Sequence, residues 1–261
     1  MAQVVTNTPL VERNARIGRI LTTASLIVIL APMAITLPVL FTGKNDLPTD
    51  TLFILYGALI AGLILSNLGG HYLNRWGMKY FEQLDKALKG TDKKIRLYNY
   101  SLPAPNVLLT SYGVTVLLLK NLDGTIYANQ QGWRMNVGIL RFLRWFSSEQ
   151  LGDPTKDLQT QIEKMNAFIR EHLGENFSAP VDGLIVFTNP KAIVEITNVE
   201  LPVVLLNQNE DGLKNALRKN KNAPLLSKQQ YDALYGLFEQ EADARRIESE
   251  RGFVIAGRKI F

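Results

Sequence analysis

Apolar positions are distributed unevenly along the chain. From Ile20 to Phe41 run 22 residues without a charge, rich in Leu, Ile and Val. At helical rise they extend about 33 Å, enough to cross a bilayer. A second uncharged stretch runs from Thr51 through Leu68 and continues as Gly69-Gly70-His71-Tyr72. The pattern predicts two membrane-spanning helices. A cleaved signal peptide fits the first stretch less well, because its apolar run is long and a second span follows closely. Pro32 and Pro38 lie inside the first span and should kink it or loosen its outer end. Gly57/Ala61 and Ala58/Gly62, each pair four apart, give the second helix a face for close packing. Its occupant is either the first helix or a helix of another protein.

Beyond residue 73 the pattern changes to that of a soluble domain. Apolar groups at 80, 81, 84, 87 and 88 recur with helical period before Gly90. Ile95–Tyr100, Val107–Thr110, Val114–Lys120 and Thr125–Ala128, with an Asp123-Gly124 turn, read as an antiparallel meander whose two long apolar runs are central strands. Residues 137–146 combine bulky apolar groups with Arg141, Arg144 and Trp145, an amphipathic surface for the domain's own sheet, the bilayer or a partner. Asp153-Pro154 opens a helix to about Leu173. Val181–Phe187, Ala192–Ile196 and Val203–Leu205 read as strands, Asp211–Lys219 as a short helix, and Ser227–Glu250 as a long helix capped by Ser227. The fold class is α/β (α+β): residues 1–19 an N-terminal segment, 20–73 a transmembrane hairpin, and 74–261 one domain of mixed sheet and flanking helices.

Charge orients the hairpin. Arg13, Arg16 and Arg19 face only Glu12 on the N-terminal flank, whereas the connecting loop holds Lys44 against Asp46 and Asp50. Seven basic residues and three acidic ones follow the second span between 71 and 96. Both ends are therefore expected in the cytoplasm and the hairpin in the cell's inner membrane. Residues 97–261 carry 18 basic and 18 acidic groups, so the net +5 lies next to the membrane, where it suits anionic lipid headgroups. A neutral domain argues against nucleic acid as a partner. The local group Lys214, Arg218, Lys219 and Lys221 reads as a solvated helix end.

Composition excludes much chemistry. With no cysteine there is no disulfide framework, thiolate nucleophile, Cys-ligated zinc or iron–sulfur cluster. The only histidines, His71 and His172, cannot build a three-histidine metal site, and each suits a structural place at a helix end or membrane interface. No dinucleotide, Walker A, nucleophile-elbow or zincin motif is present. No cofactor is expected.

One resemblance emerges from Trp76-Gly77, Glu82, Leu97-Tyr-Asn-Tyr-Ser-Leu-Pro103, Tyr112-Gly113-Val-Thr-Val-Leu-Leu-Leu-Lys120-Asn121, Gly124, Trp133 and Gly183-Leu-Ile-Val-Phe187. Over about residues 70–190 the chain resembles the nuclease-related domain (NERD) family. This implies a restriction-endonuclease-like fold, with an Asp before one core strand and a Glu-x-Lys on the next to hold Mg²⁺ and orient water. Aligned on Gly113, this chain has Asn106 near the Asp position, Leu118 for the Glu and Lys120 for the Lys. Without the two acids no anionic oxygen cage remains for a hard divalent cation. The expectation is a degenerate, non-enzymatic member: a membrane-anchored scaffold or accessory subunit of a larger membrane assembly. If that assembly transfers electrons, this chain carries no redox centre. Its contacts would be Gly57, Ala58, Ala61 and Gly62 with the 137–146 surface. The alternative is a membrane-tethered Mg²⁺-dependent nuclease that combines Lys120 with Asp123, Asp182 and Glu195, or a nucleic-acid-binding protein.

Overall fold

The computed structural model describes residues 2–41, 49–77, 79–91, 94–136, 150–197, 201–206, 212–219 and 224–258. Two compact units emerge. One comprises the helical hairpin from Glu12 to Gly77; the other joins Met1–Val11 to Met78–Val137 and Gln150–Phe261.

In the hairpin, α1 (Thr8–Phe41) and α2 (Thr49–Trp76) are both long and apolar enough to cross a membrane, and only 11% of each apolar window is buried. A core helix of a soluble protein would be mostly covered. Phe53 and Ile54 are 72% and 71% exposed, an apolar surface that water does not favour. Helix α1 runs through Pro32 and Pro38. Two of its hydroxyls bond within the helix: Thr22 donates to the Gly18 carbonyl at 2.9 Å and Ser25 to that of Thr22 at 2.7 Å. Glycines set the approach of the two helices. A Cβ at Gly62 would stand 2.4 Å from Ile29 Cγ1, one at Gly69 2.5 Å from Thr22 Oγ1, and one at Gly18 3.0 Å from Tyr72 and Leu73 side-chain carbons.

The second unit begins at the N-terminus. Strand β1 (Gln3–Thr6) pairs in parallel with β2 (Arg96–Asn99). The sequence marks residues 1–19 only as an N-terminal segment, because pairing with a strand more than ninety residues away gives no local periodicity. Asn7 then caps α1, its Oδ1 accepting from Leu10 N at 3.3 Å, and Pro9 occupies the first turn where no N–H is needed.

From β2 the chain forms an antiparallel meander through β3 (Asn106–Thr110) and β4 (Gly113–Lys120). Gly113 holds the turn at φ 141°, and a Cβ there would lie 2.5 Å from the Pro180 carbonyl. The meander ends at β4. Strand β5 (Gly124–Asn129) leaves it for a second sheet, antiparallel to β6 (Gly132–Asn136) and parallel to β8 (Ala192–Ile196). Its alternation marks a strand but carries no information about which sheet receives it.

Helix α3 (Lys79–Leu88) precedes the meander and α4 (Pro154–Leu173) follows the second sheet's hairpin. Strand β7 (Val181–Phe187) then enters beside β4 in parallel, and β9 (Val203–Leu205) beside β7, which completes the order β1-β2-β3-β4-β7-β9. Helices α5 (Gly212–Lys219) and α6 (Lys228–Arg258) close the chain. Ser227 and Gln230 form a reciprocal capping box at the start of α6.

Strand alternation divides the core between the two faces of the large sheet. Val107, Leu109, Val116, Leu118, Ile185 and Phe187 pack with Leu158, Met165 and Phe168 of α4 and with Leu234 and Phe238 of α6. On the other face Leu97, Leu108, Leu117, Leu184 and Val186 pack with Leu84 and Leu88 of α3 and Leu213 of α5. Gly183 lets α4 lie directly on the sheet, since a Cβ there would meet Leu158 and Ile162 atoms at 2.7–2.8 Å.

Candidate functional site

Lys120 ends β4 in register with Phe187 of β7, on the sheet face covered by α4. Its side chain is 9% exposed, and Nζ stands 3.2 Å from Asp157 Oδ2 in the first turn of α4. That turn is fixed from three sides. Asp153 Oδ1 accepts from Lys156 N at 3.2 Å, Pro154 needs no donor partner, and Thr155 Oγ1 accepts the Trp133 indole N–H at 2.8 Å. Asp157 thus offers its carboxylate where the helix dipole favours a negative charge, and Lys120 receives a partner from a helix, not from its own sheet. Sequence reasoning missed Asp157; its signal was an acid in the first turn behind Asp153-Pro154.

Leu118 lies two residues before Lys120 on the same face and is buried in the apolar core. Asn106 lies on the opposite face, the one that holds Leu97, Leu108 and Leu117. Asn106 instead faces Asn99 across β2 and β3; both are buried, and neither Oδ1 has a hydrogen-bond partner. Asn99 spends its amide nitrogen on Thr6 Oγ1 of β1 at 3.2 Å.

The surroundings of Lys120 therefore do not fit Mg²⁺. Leu118 offers no anionic oxygen, and the ammonium of Lys120 repels a cation that Asp157 would attract. Nor do Asp182 and Glu195 converge there. Asp182 pairs with Thr115, five residues before the Lys120–Phe187 pair and about 17 Å away along the strand. Glu195 lies in the second sheet opposite Tyr127, and both acids are exposed. Asp123 follows the end of β4 in the loop before β5. Among the described residues no three histidines or carboxylates group as a metal site.

A second polar group joins β2 to α6. Glu239 Oε1 accepts from Arg96 Nη1 at 2.7 Å and from the Tyr98 hydroxyl at 2.8 Å, and the Arg96 guanidinium lies 4.2 Å from the centre of the Tyr235 ring. Burial, reinforced by Glu239, pushes the Tyr98 phenol well above its ordinary value. Burial disfavours the charge on Arg96, but the Glu239 carboxylate together with Tyr98 and Tyr235 outweighs it and the net shift is upward.

In the hairpin the small residues divide. Gly62 is covered by Ile29 of α1, so part of the small-residue face serves the hairpin itself. Gly57 has nothing within 4 Å of its would-be Cβ, Ala58 is half-buried and Ala61 exposed. Gly18 and Gly69, which were not singled out, make the tightest approach after Gly62. Arg141, Arg144 and Trp145 lie outside the described residues.

The model of the nuclease-related domain family matches residues 76–188, from the end of α2 to just beyond β7. No curated protein and no solved structure matches the chain.

Proposed function

This chain carries a nuclease-related domain at residues 76–188, and on that premise we propose that it is a membrane-anchored, non-catalytic member that works as a scaffold or accessory subunit of a larger membrane assembly. One observation carries the reading. Where a metal-dependent nuclease needs two carboxylates beside its lysine, this domain has Leu118 buried in the core and Asn106 on the opposite face of the sheet, while Lys120 pairs with Asp157. A site of this kind has lost the groups that would bind Mg²⁺ and activate water.

The anchor is a hairpin that crosses the bilayer twice, with both flanks on the cytoplasmic side. Two features support it. Strand β1 precedes α1 and pairs with β2, which follows α2, so both flanks contribute to one sheet. An even number of crossings between them satisfies that pairing. The excess of arginine on the same flanks selects the cytoplasm. The open surface at Gly57, Ala58 and Ala61 is the part of α2 left for a helix of another subunit.

Gentle detergent extraction followed by native electrophoresis and mass spectrometry tests the role. Stoichiometric co-migration with other membrane proteins is expected, and migration alone as a 29.3 kDa chain or its homo-oligomer would overturn it.

A further inference from the structure

We propose that β8 is a pairing edge for a second copy of this chain, with Ile193 of each copy on the two-fold axis. β8 is the outer strand of the order β6-β5-β8, and among the described residues no strand lies beyond it. Gly124 N donates to Lys191 O at 3.5 Å and Thr197 N to Ala128 O at 2.8 Å. The odd-numbered residues of this stretch therefore spend their backbone groups on β5. By alternation the Val194 N–H and the Ala192 carbonyl point away from the sheet. Unpaired groups in a row are a template for another strand. The edge is also apolar: Ile193 and Ile196 are 52% and 44% exposed.

The charges on this edge select its own copy as the occupant. Outward from Ile193 lie Ala192 and Val194, then Lys191 and Glu195. An antiparallel second copy centred on Ile193 sets Ile193 against Ile193, Ala192 against Val194 and Lys191 against Glu195, and the two-fold axis makes each of the last two pairs twice. Each Val194 N–H then reaches the Ala192 carbonyl of the other copy. Lys191 and Glu195 are exposed, and among the described residues neither has an ion pair within its own chain. A register centred on Glu195 would instead place like charges face to face. The other edge of this sheet, β6, has Arg134 at its centre and meets the same repulsion. A ladder of this length covers less than the roughly 800 Å² per partner of a stable dimer in solution. Pairing therefore relies on the membrane anchor proposed above, which holds two chains at high local concentration.

The chain has no cysteine, so a single introduced thiol reports the contact. Ile193→Cys in the full chain, oxidised in its membranes with copper phenanthroline, should give a disulfide dimer as the main species. Directly opposed residues that share no ladder bond stand about 4.5 Å apart at Cα, within disulfide reach. Thr197→Cys, also exposed but about 27 Å from its counterpart in this register, should stay monomeric. Adding Glu195→Lys to Ile193→Cys should lower the dimer yield about tenfold, and adding Lys191→Glu as well should restore it. Equal cross-linking at 193 and 197, none at 193, or no rescue by the charge exchange would overturn the pairing. Alkaline carbonate washing reads the anchor separately: a chain washed free negates the hairpin, whereas an embedded chain that fails to cross-link negates only the pairing. Dimers that form with no other membrane protein bound uphold the pairing and negate only the accessory role.

Discussion

The Asn99 side-chain amide donates to the Thr6 hydroxyl at 3.2 Å, across two parallel strands that both apolar helices separate in sequence. This contact ties the chain ahead of the hairpin to the chain behind it.

Strand β1 is a short edge strand, so its ladder bonds are open to a direct probe. Gln3 N donates to Ile95 O and Asn7 N to Asn99 O, each at 3.0 Å. By alternation the Val5 N–H also faces β2, and that of Val4 faces outward. Val5→Pro should cost about 1–2 kcal/mol and speed hydrogen exchange in 96–99, while Val4→Pro should be tolerated. Equal effects of the two substitutions would refute the register.

The hairpin should respond to glycine substitution by position. Gly69→Ala places a methyl 2.5 Å from Thr22 Oγ1 and 2.8 Å from Thr22 N, so the helices must part at a cost of about 1–3 kcal/mol. Gly57→Ala meets nothing within 4 Å and should leave the isolated chain's melting unchanged. If Gly57 lies against a partner helix, the same substitution should strip the chain from its assembly, which native electrophoresis reads directly.

Alkaline pH should unfold the domain through Tyr98. Its phenol is held above the ordinary range by burial and by Glu239. A group whose pKa is raised on folding stabilises fully below its unfolded value, so stability should fall as pH rises past about 10. Tyr98→Phe should cost about 1 kcal/mol at neutral pH and flatten that alkaline decline. Absorbance titration should show one tyrosine that ionises only on unfolding.

The Lys120–Asp157 pair should be asymmetric. Lys120 is nearly covered and Asp157 half-exposed, with side chains 9% and 49% accessible. Asp157→Ala takes the carboxylate from a covered ammonium, at a cost of about 1–3 kcal/mol, whereas Lys120→Met keeps the apolar stem and returns Asp157 to water for less. Chemical denaturation of the two variants compares them, and a larger loss in Lys120→Met would contradict the placement.

Much of this architecture was legible because it is local. Uncharged runs of bilayer length, the helical period before Gly90, the Asp153-Pro154 helix start and the apolar strands at 114–120 and 181–187 each carry their own signal. What escaped depends on distant partners. Gln3–Thr6 becomes a strand only against β2, and Thr125–Ala128 looks alike in either sheet. The site divided in the same way. Lys120 and Leu118 lie on the face that alternation implies, but Asn106 lies on the other, which sequence spacing could not show because a one-residue slip reverses the face. Asp157 was hidden because it approaches Lys120 from a helix 37 residues away.

Loss of nuclease chemistry is the central claim. The purified full chain and its Lys120→Ala variant should be incubated with single- and double-stranded DNA and RNA in Mg²⁺ and in Mn²⁺, with cation binding followed by calorimetry. Both proteins should leave every substrate intact and bind neither ion. Metal-dependent cleavage by the wild type that disappears in Lys120→Ala would show a working active site and contradict the account.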